Sequence, residues 1–173
     1  MTGAVHEPSG ELGDPQELLL GYLDYYRSAV IRKIDGLPDE DLRTSRLPSG
    51  WTPLELIKHL VYMEKRWFQW GFAAEQLPAP YGDQDADGRW RVGPEETTAD
   101  LVAALHAGGL QTRAIVAESA LSDVAAIGGR FDKDDSDPHP TLAWIMLHVL
   151  QEYARHAGHL DIARELVDGA TGE

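Results

Sequence analysis

The 173-residue chain contains no cysteine. A disulfide framework is therefore excluded, nothing points to secretion, and any thiol chemistry must use a thiol supplied from outside. Basic residues are scarce. Fifteen Lys and Arg against 29 Asp and Glu leave a formal charge of −14, a field that repels phosphate backbones and argues against a nucleic-acid role. No apolar run approaches the roughly 18 residues that a membrane span requires. The N-terminal MTGAVHEPSGELGD lacks the basic and apolar regions of a signal peptide, so the cytoplasm is the expected compartment. Repeats, low-complexity tracts and strand pairs with alternating polarity are also missing. What remains is an ordinary globular composition, 43% hydrophobic and 25% charged, long enough to bury a core without staples. The expected organisation is a flexible tail at 1–13 and one domain at 14–173.

Four segments carry helical start signals followed by apolar residues three and four apart. The first begins at DPQE, with Asp14 as cap and Pro15 in the first turn. Leu19, Leu23, Tyr26, Val30, Ile34 and Leu37 then predict a helix over about 15–36. GLPDEDL interrupts it, with room for one short turn. Thr52 and Glu55 open the second segment as a capping box. There Leu56, Leu60, Met63, Trp67 and Trp70 mark an inward stripe to about residue 73. Residues 74–96 form a long loop rich in Pro, Gly and Asp, a kind of segment that is often functional or mobile. Thr97 or Thr98 opens a third helix to about 121, weakened by Gly108 and Gly109. GGRFDKDDSDPHP at 128–140 is turn chemistry, and Thr141 opens a fourth helix to about Val167. Four helices with one apolar stripe each imply an all-α four-helix bundle.

Two polar residues interrupt the stripe of the fourth helix. Leu142, Ile145, Val149, Glu152, His156, Leu160 and Ala163 follow one another at helical spacing, so Glu152 and His156 face the interior one turn apart. An unpaired buried carboxylate is costly; it must be protonated, ion-paired or bound to a metal. Residues four apart on a helix lie about 6 Å from each other, a span that suits two ligands of one cation. His59, at the edge of the second helix's stripe, would complete a three-ligand site. A Glu152–His156 ion pair without metal fits the same spacing. His148 and His159 are alternative ligands or surface residues, and His6, His106 and His139 have no partner pattern and are expected to be solvated. Arg155 and Arg164 could meet an acidic substrate but are read as surface pairing, with Asp161 as the partner of Arg164; Glu64 is likewise read as surface pairing, with an acid/base role near the cavity as its alternative. Trp51, Trp67 and Trp70 are read as core that could also line a pocket. Tyr153 is read as packing.

GWTPLELIKHLVYMEKRWF (50–68) and HVLQEYARHAGHLDIARELVDGATGE (148–173) resemble the signature segments of the DinB/YfiT-like superfamily. The likeness is strongest to its actinobacterial branch, similar to the N-terminal domain of mycothiol-dependent maleylpyruvate isomerase. The resemblance implies an up-down-down-up bundle with a metal at one end. It carries the ligand roles onto His59, Glu152 and His156, with Glu at a position where many members have His. It also implies zinc, with nickel or manganese as alternatives, and mycothiol as cosubstrate. The expected activity is a metal-dependent thiol S-transferase acting on a small-molecule electrophile in detoxification, as a monomer or homodimer. The alternatives are a hydrolase that activates water at the metal, and a non-catalytic metal-binding stress protein.

Overall fold

The computed structural model describes residues 6–82 and 84–171. The first five residues of the expected tail therefore lie outside the described residues. Residues 6–13 carry no helix, and Pro8 lies against Gly21, where a Cβ would approach its ring to 2.7 Å.

Among the described residues, five α-helices and one π-helix make up the regular structure: α1 (Pro15–Ile34), α2 (Asp39–Leu42), α3 (Pro53–Glu64), the π segment Lys65–Phe72, α4 (Thr98–Ala117) and α5 (Leu142–Asp168). The side chains read as caps act as caps. Asp14 accepts from the amides of Gln16 and Glu17, Thr52 with Glu55 and Thr97 with Asp100 form reciprocal boxes, and Thr141 accepts from Trp144 N. Each satisfies amides that a helix start leaves without a partner. The fourth bundle helix ends one residue later than expected, with Gly169 in the left-handed conformation that suits a C-cap.

α1 and α5 pack along each other in parallel, since Lys33 meets Asp161 and Arg164 reaches the carbonyls of Lys33 and Asp35. Arg164 also pairs with Asp168; Asp161, its expected partner, is taken by Lys33. α3 and α4 are parallel too, because Lys58 reaches Glu96 while Glu64 reaches Thr112. α3 runs antiparallel to α5, with His59 near Glu152 and Trp67 near His148 and Trp144. The topology is up-down-down-up. Leu23, Val30, Leu54, Ile57, Leu60, Leu105, Ile145 and Val149 fill its core.

Three sequence expectations need correction. Trp67 and Trp70 are only half-buried, whereas Phe68, Phe72 and Arg66 are buried. The cause is the π segment: Ala73 N donates to Phe68 O five residues back at 2.9 Å, and the wider turn moves the stripe off the 3.6-residue period. α4 stops at Ala117 rather than 121. Ser119 Oγ turns back to donate to Ile115 O, and the chain then runs to the start of α5, where Leu121 O and Asp123 O accept from Ala143 N and Leu142 N.

Glu64 is the third. It is buried, not at the surface, and its carboxylate accepts four hydrogen bonds: from Arg27 Nη2 and Nε, Thr112 Oγ1 and Tyr153 Oη. Burial disfavours the charge on Arg27, but Glu64, with Tyr153 and Asp24, outweighs it and raises the guanidinium pKa. Burial first, then Glu64, keeps the Tyr153 phenol protonated as a donor. Gly108 and Gly109 make room for this cluster. A Cβ on Gly109 would come within 2.6 Å of the Arg27 guanidinium, so the glycines that weaken the helix locally serve its packing.

Candidate metal centre

His59 projects from α3, and Glu152 and His156 from α5. Their candidate ligand atoms lie within 4.8 Å of one another. His156 Nε2 is 3.1 Å and His59 Nε2 3.6 Å from Glu152 Oε2. Ligand distances of about 2.0–2.2 Å around a tetrahedral ion put neighbouring donors about 3.4 Å apart, so these separations suit one small cation.

Two further observations bear on the fit. Both ring nitrogens of His59 are buried, and neither makes a hydrogen bond of normal length. Glu152 Oε2, facing Nε2 at 3.6 Å, is near enough to feel its charge but too far to satisfy it, which is costly unless something else binds there. Burial, and then His59 nearby, push His156 down to about 4, leaving an imidazole that is neutral at physiological pH. A neutral imidazole is a competent ligand and a poor ion-pair partner. Glu152 is held at about 2, chiefly by the His59 edge facing it and despite its partial burial, with His156 adding to the effect. Two imidazoles and one carboxylate are an ordinary donor set for zinc. The residues present fit a divalent ion.

Aromatic rings wall the cluster. Trp51 stacks on His156 at 6.0 Å, and Trp90 lies 4.6 Å from His59. Trp90 comes from the long 74–96 loop, which α3 pins down. Arg89 reaches Gly50 O and the carboxylate of Glu55, Lys58 donates to Arg91 O and to Glu96, and the Trp90 indole donates to Tyr81 O.

Two cavities adjoin the cluster. One, of about 260 Å³, is lined by Trp51, Pro53, Leu56, Arg155, His156 and His159. The other, of about 330 Å³, is lined by His59 and Glu152 together with Arg66, Tyr81, Trp90, Arg130 and His148. His159 Nδ1 is 3.3 Å from His156 Nδ1. His148 packs between Trp67 and Trp144, and burial lowers its pKa. Neither belongs to the cluster of three. His139 is not simply solvated: it lies against Phe131 and its Nε2 is 2.9 Å from Asp132 O. Arg66 and Arg130 are the lining residues that periodicity missed.

The metal-free cluster makes stability depend on pH in a definite direction. Between 6.5 and about 4 the unfolded chain holds a proton on His156 that the folded chain does not, so stability falls as pH drops through that window. Glu152 adds a further loss as pH falls from 4.5 towards 2. The urea midpoint of metal-free protein should therefore be lower at pH 5 than at pH 7.5. His156→Asn should flatten this difference, and an equally steep profile in that variant would show that other groups dominate.

Fold and site together define a DinB-like helical bundle with an inward His, Glu, His cluster at one end. The chain belongs to the mycothiol-S-transferase family, whose pattern matches residues 18–169. Among solved structures, a conserved protein from Enterococcus faecalis is similar in fold. It shares 17% identity at a TM-score of 0.68, over 91% of this chain and 99% of that one. No curated protein matches the sequence significantly. No helix among the described residues is long and apolar enough to cross a membrane.

Proposed function

We propose that the protein transfers mycothiol, or a related low-molecular-weight thiol, to a small electrophile in detoxification, with zinc held by His59, Glu152 and His156. The observation that carries this reading is the pair of cavities meeting at that cluster. One cavity is lined by His156 and the other by His59 and Glu152, so a thiol and an electrophile can approach one centre from two sides, and family membership points to the thiol. When bound, the ion would supply Lewis acidity that favours a thiolate over a thiol near neutral pH.

The chain's own residues prepare the site for this. Burial keeps His156 unprotonated, so its lone pair is available for a ligand bond. Glu152 stays ionised and offsets one of the two positive charges of the cation. Trp51 and Trp90 shield the imidazoles and limit water around the nucleophile. In the transfer, a sulfur–carbon bond forms at the electrophilic carbon, the leaving group departs with its bonding pair, and the thiol proton passes to solvent. With no cysteine in the chain, no protein thiol can take the place of the external one as nucleophile.

The test is conjugation of mycothiol with monochlorobimane, followed by chromatography of the adduct. Zinc-loaded protein should accelerate adduct formation and metal-free protein should not. Zinc-loaded protein that leaves mycothiol unconsumed but cleaves an ester or amide panel would replace this reading with the hydrolase.

A further inference from the structure

The cavity beside His59 and Glu152 contains two arginines whose positive charge is not met by acid side chains in the usual way. Arg66 is 8% exposed and its Nε has no hydrogen-bond partner. Its guanidinium lies over the rings of Tyr81 and Trp90, at 5.0 and 4.9 Å. Arg130 lies over Trp67 at 4.1 Å. No described carboxylate forms an ion pair with either guanidinium. Ring faces hold a guanidinium by its flat face and leave the in-plane N–H donors on its edges free. Burial and the nearness of Arg130 both disfavour the charge on Arg66, with Tyr81 and Glu152 opposing them. Burying charge this way is costly unless a ligand completes the arrangement.

The backbone fixes both arginines in place. Arg66 belongs to the π segment. Arg130 N donates to Trp70 O at 3.0 Å, and Gly129 lies so close to that carbonyl that a Cβ would come within 2.0 Å of it. The loop carrying Arg130 is thus clamped onto the π segment. Glu152 is the one carboxylate among the described lining residues, and its Oε2 is turned to His156 and His59. With Glu152 committed to that cluster, neither guanidinium has a counter-charge among the described lining residues.

We propose that Arg66 and Arg130 bind a carboxylate on the electrophile, so that the preferred substrates are electrophilic carboxylates. This inference rests on the thiol-transfer reading. The planar fork of arginine matches a carboxylate through paired N–H bonds, and a carboxylate held in this cavity sits beside His59 and Glu152.

The test has two arms. In the first, metal-free protein is titrated with benzoate, benzamide and phenyl phosphate, with tryptophan emission as the readout, because Trp67 and Trp90 lie under the two guanidiniums. Wild type should bind benzoate saturably and at least about tenfold more tightly than benzamide, as charge-assisted pairs require. Arg130→Gln and Arg66→Gln should abolish that preference. Arg46→Gln, which removes a surface partner of Asp41, should leave it unchanged. In the second arm, zinc-loaded protein receives mycothiol with 4-(bromomethyl)benzoate or its amide. The acid should show a kcat/KM about tenfold or more above that of the amide, and Arg130→Gln should equalise the two. Absence of Arg-dependent benzoate binding, tighter binding of phenyl phosphate, or equal turnover of acid and amide would each overturn the proposal. Arg-dependent benzoate binding without any mycothiol turnover would keep the carboxylate site and remove the thiol-transfer reading.

Discussion

Alanine at His156 should weaken zinc binding at least about a hundredfold, since loss of even an outer partner of a ligand costs about 10–100-fold in affinity. His59→Ala should do the same from the opposite helix. The expectation rests on the cluster geometry, with donor atoms within 4.8 Å, and on the two unpartnered nitrogens of His59. Competition against a chromophoric chelator measures the affinity, and elemental analysis gives the stoichiometry. Glu152→Gln should also weaken binding while raising the net charge of the loaded site by one. Zinc should raise the melting temperature of wild type in a concentration-dependent way, and this rise should vanish in both histidine variants. Unchanged zinc content in His59→Ala and His156→Ala together would reduce the cluster to an ion pair with a neighbouring imidazole.

Glu64→Ala should cost about 3 kcal/mol of folding stability, because it takes the bidentate buried partner from the Arg27 guanidinium and leaves it only Asp24, which is partly exposed. This is a large share of the roughly 5–15 kcal/mol that holds a domain together. Arg27 is 4% exposed and Glu64 1% exposed, so water cannot replace the lost partner. Tyr153 and Thr112 would lose their acceptor as well. The double variant Arg27→Met with Glu64→Leu should recover most of the loss, as apolar replacement of a whole buried pair is often neutral. Urea denaturation of both variants measures this. A loss below about 1 kcal/mol in Glu64→Ala, the range of exposed pairs, would show that solvent reaches the pair.

The bundle was legible because its signals are local. Asp14, Thr52, Thr97 and Thr141 cap helices through amides two or three residues away, so the sequence window contains both partners. The inward direction of Glu152 and His156 was legible for a similar reason, since five apolar residues share their stripe. Glu64 was misread because its four donors come from α1, α4 and α5, and no window around residue 64 contains them. Arg66 was missed because periodicity assumes the α turn, and the chain from Lys65 to Phe72 does not keep it. Arg130 stands in a stretch that reads only as turn. Its Gly-Gly prefix was the available signal, because a loop that must approach a carbonyl as closely as Gly129 does has room for no other residue.

The wide turn at Lys65–Phe72 also bears on how the chain tolerates changes in length. A π turn holds about one residue more than an α turn, so a single deletion inside it lets the helix rewind into its commoner form with its ladder intact. Side chains inside the segment just after the deletion would move around the axis by about 100°, one residue's worth of helical twist, while those past the segment keep their faces. His59 lies before the segment and would keep its place opposite α5, whereas a deletion at Lys65 would swing Arg66 away from the cavity they now share. Homologues that differ by one residue here could therefore keep the same histidines and glutamate yet accept different partners, a divergence carried by chain length alone.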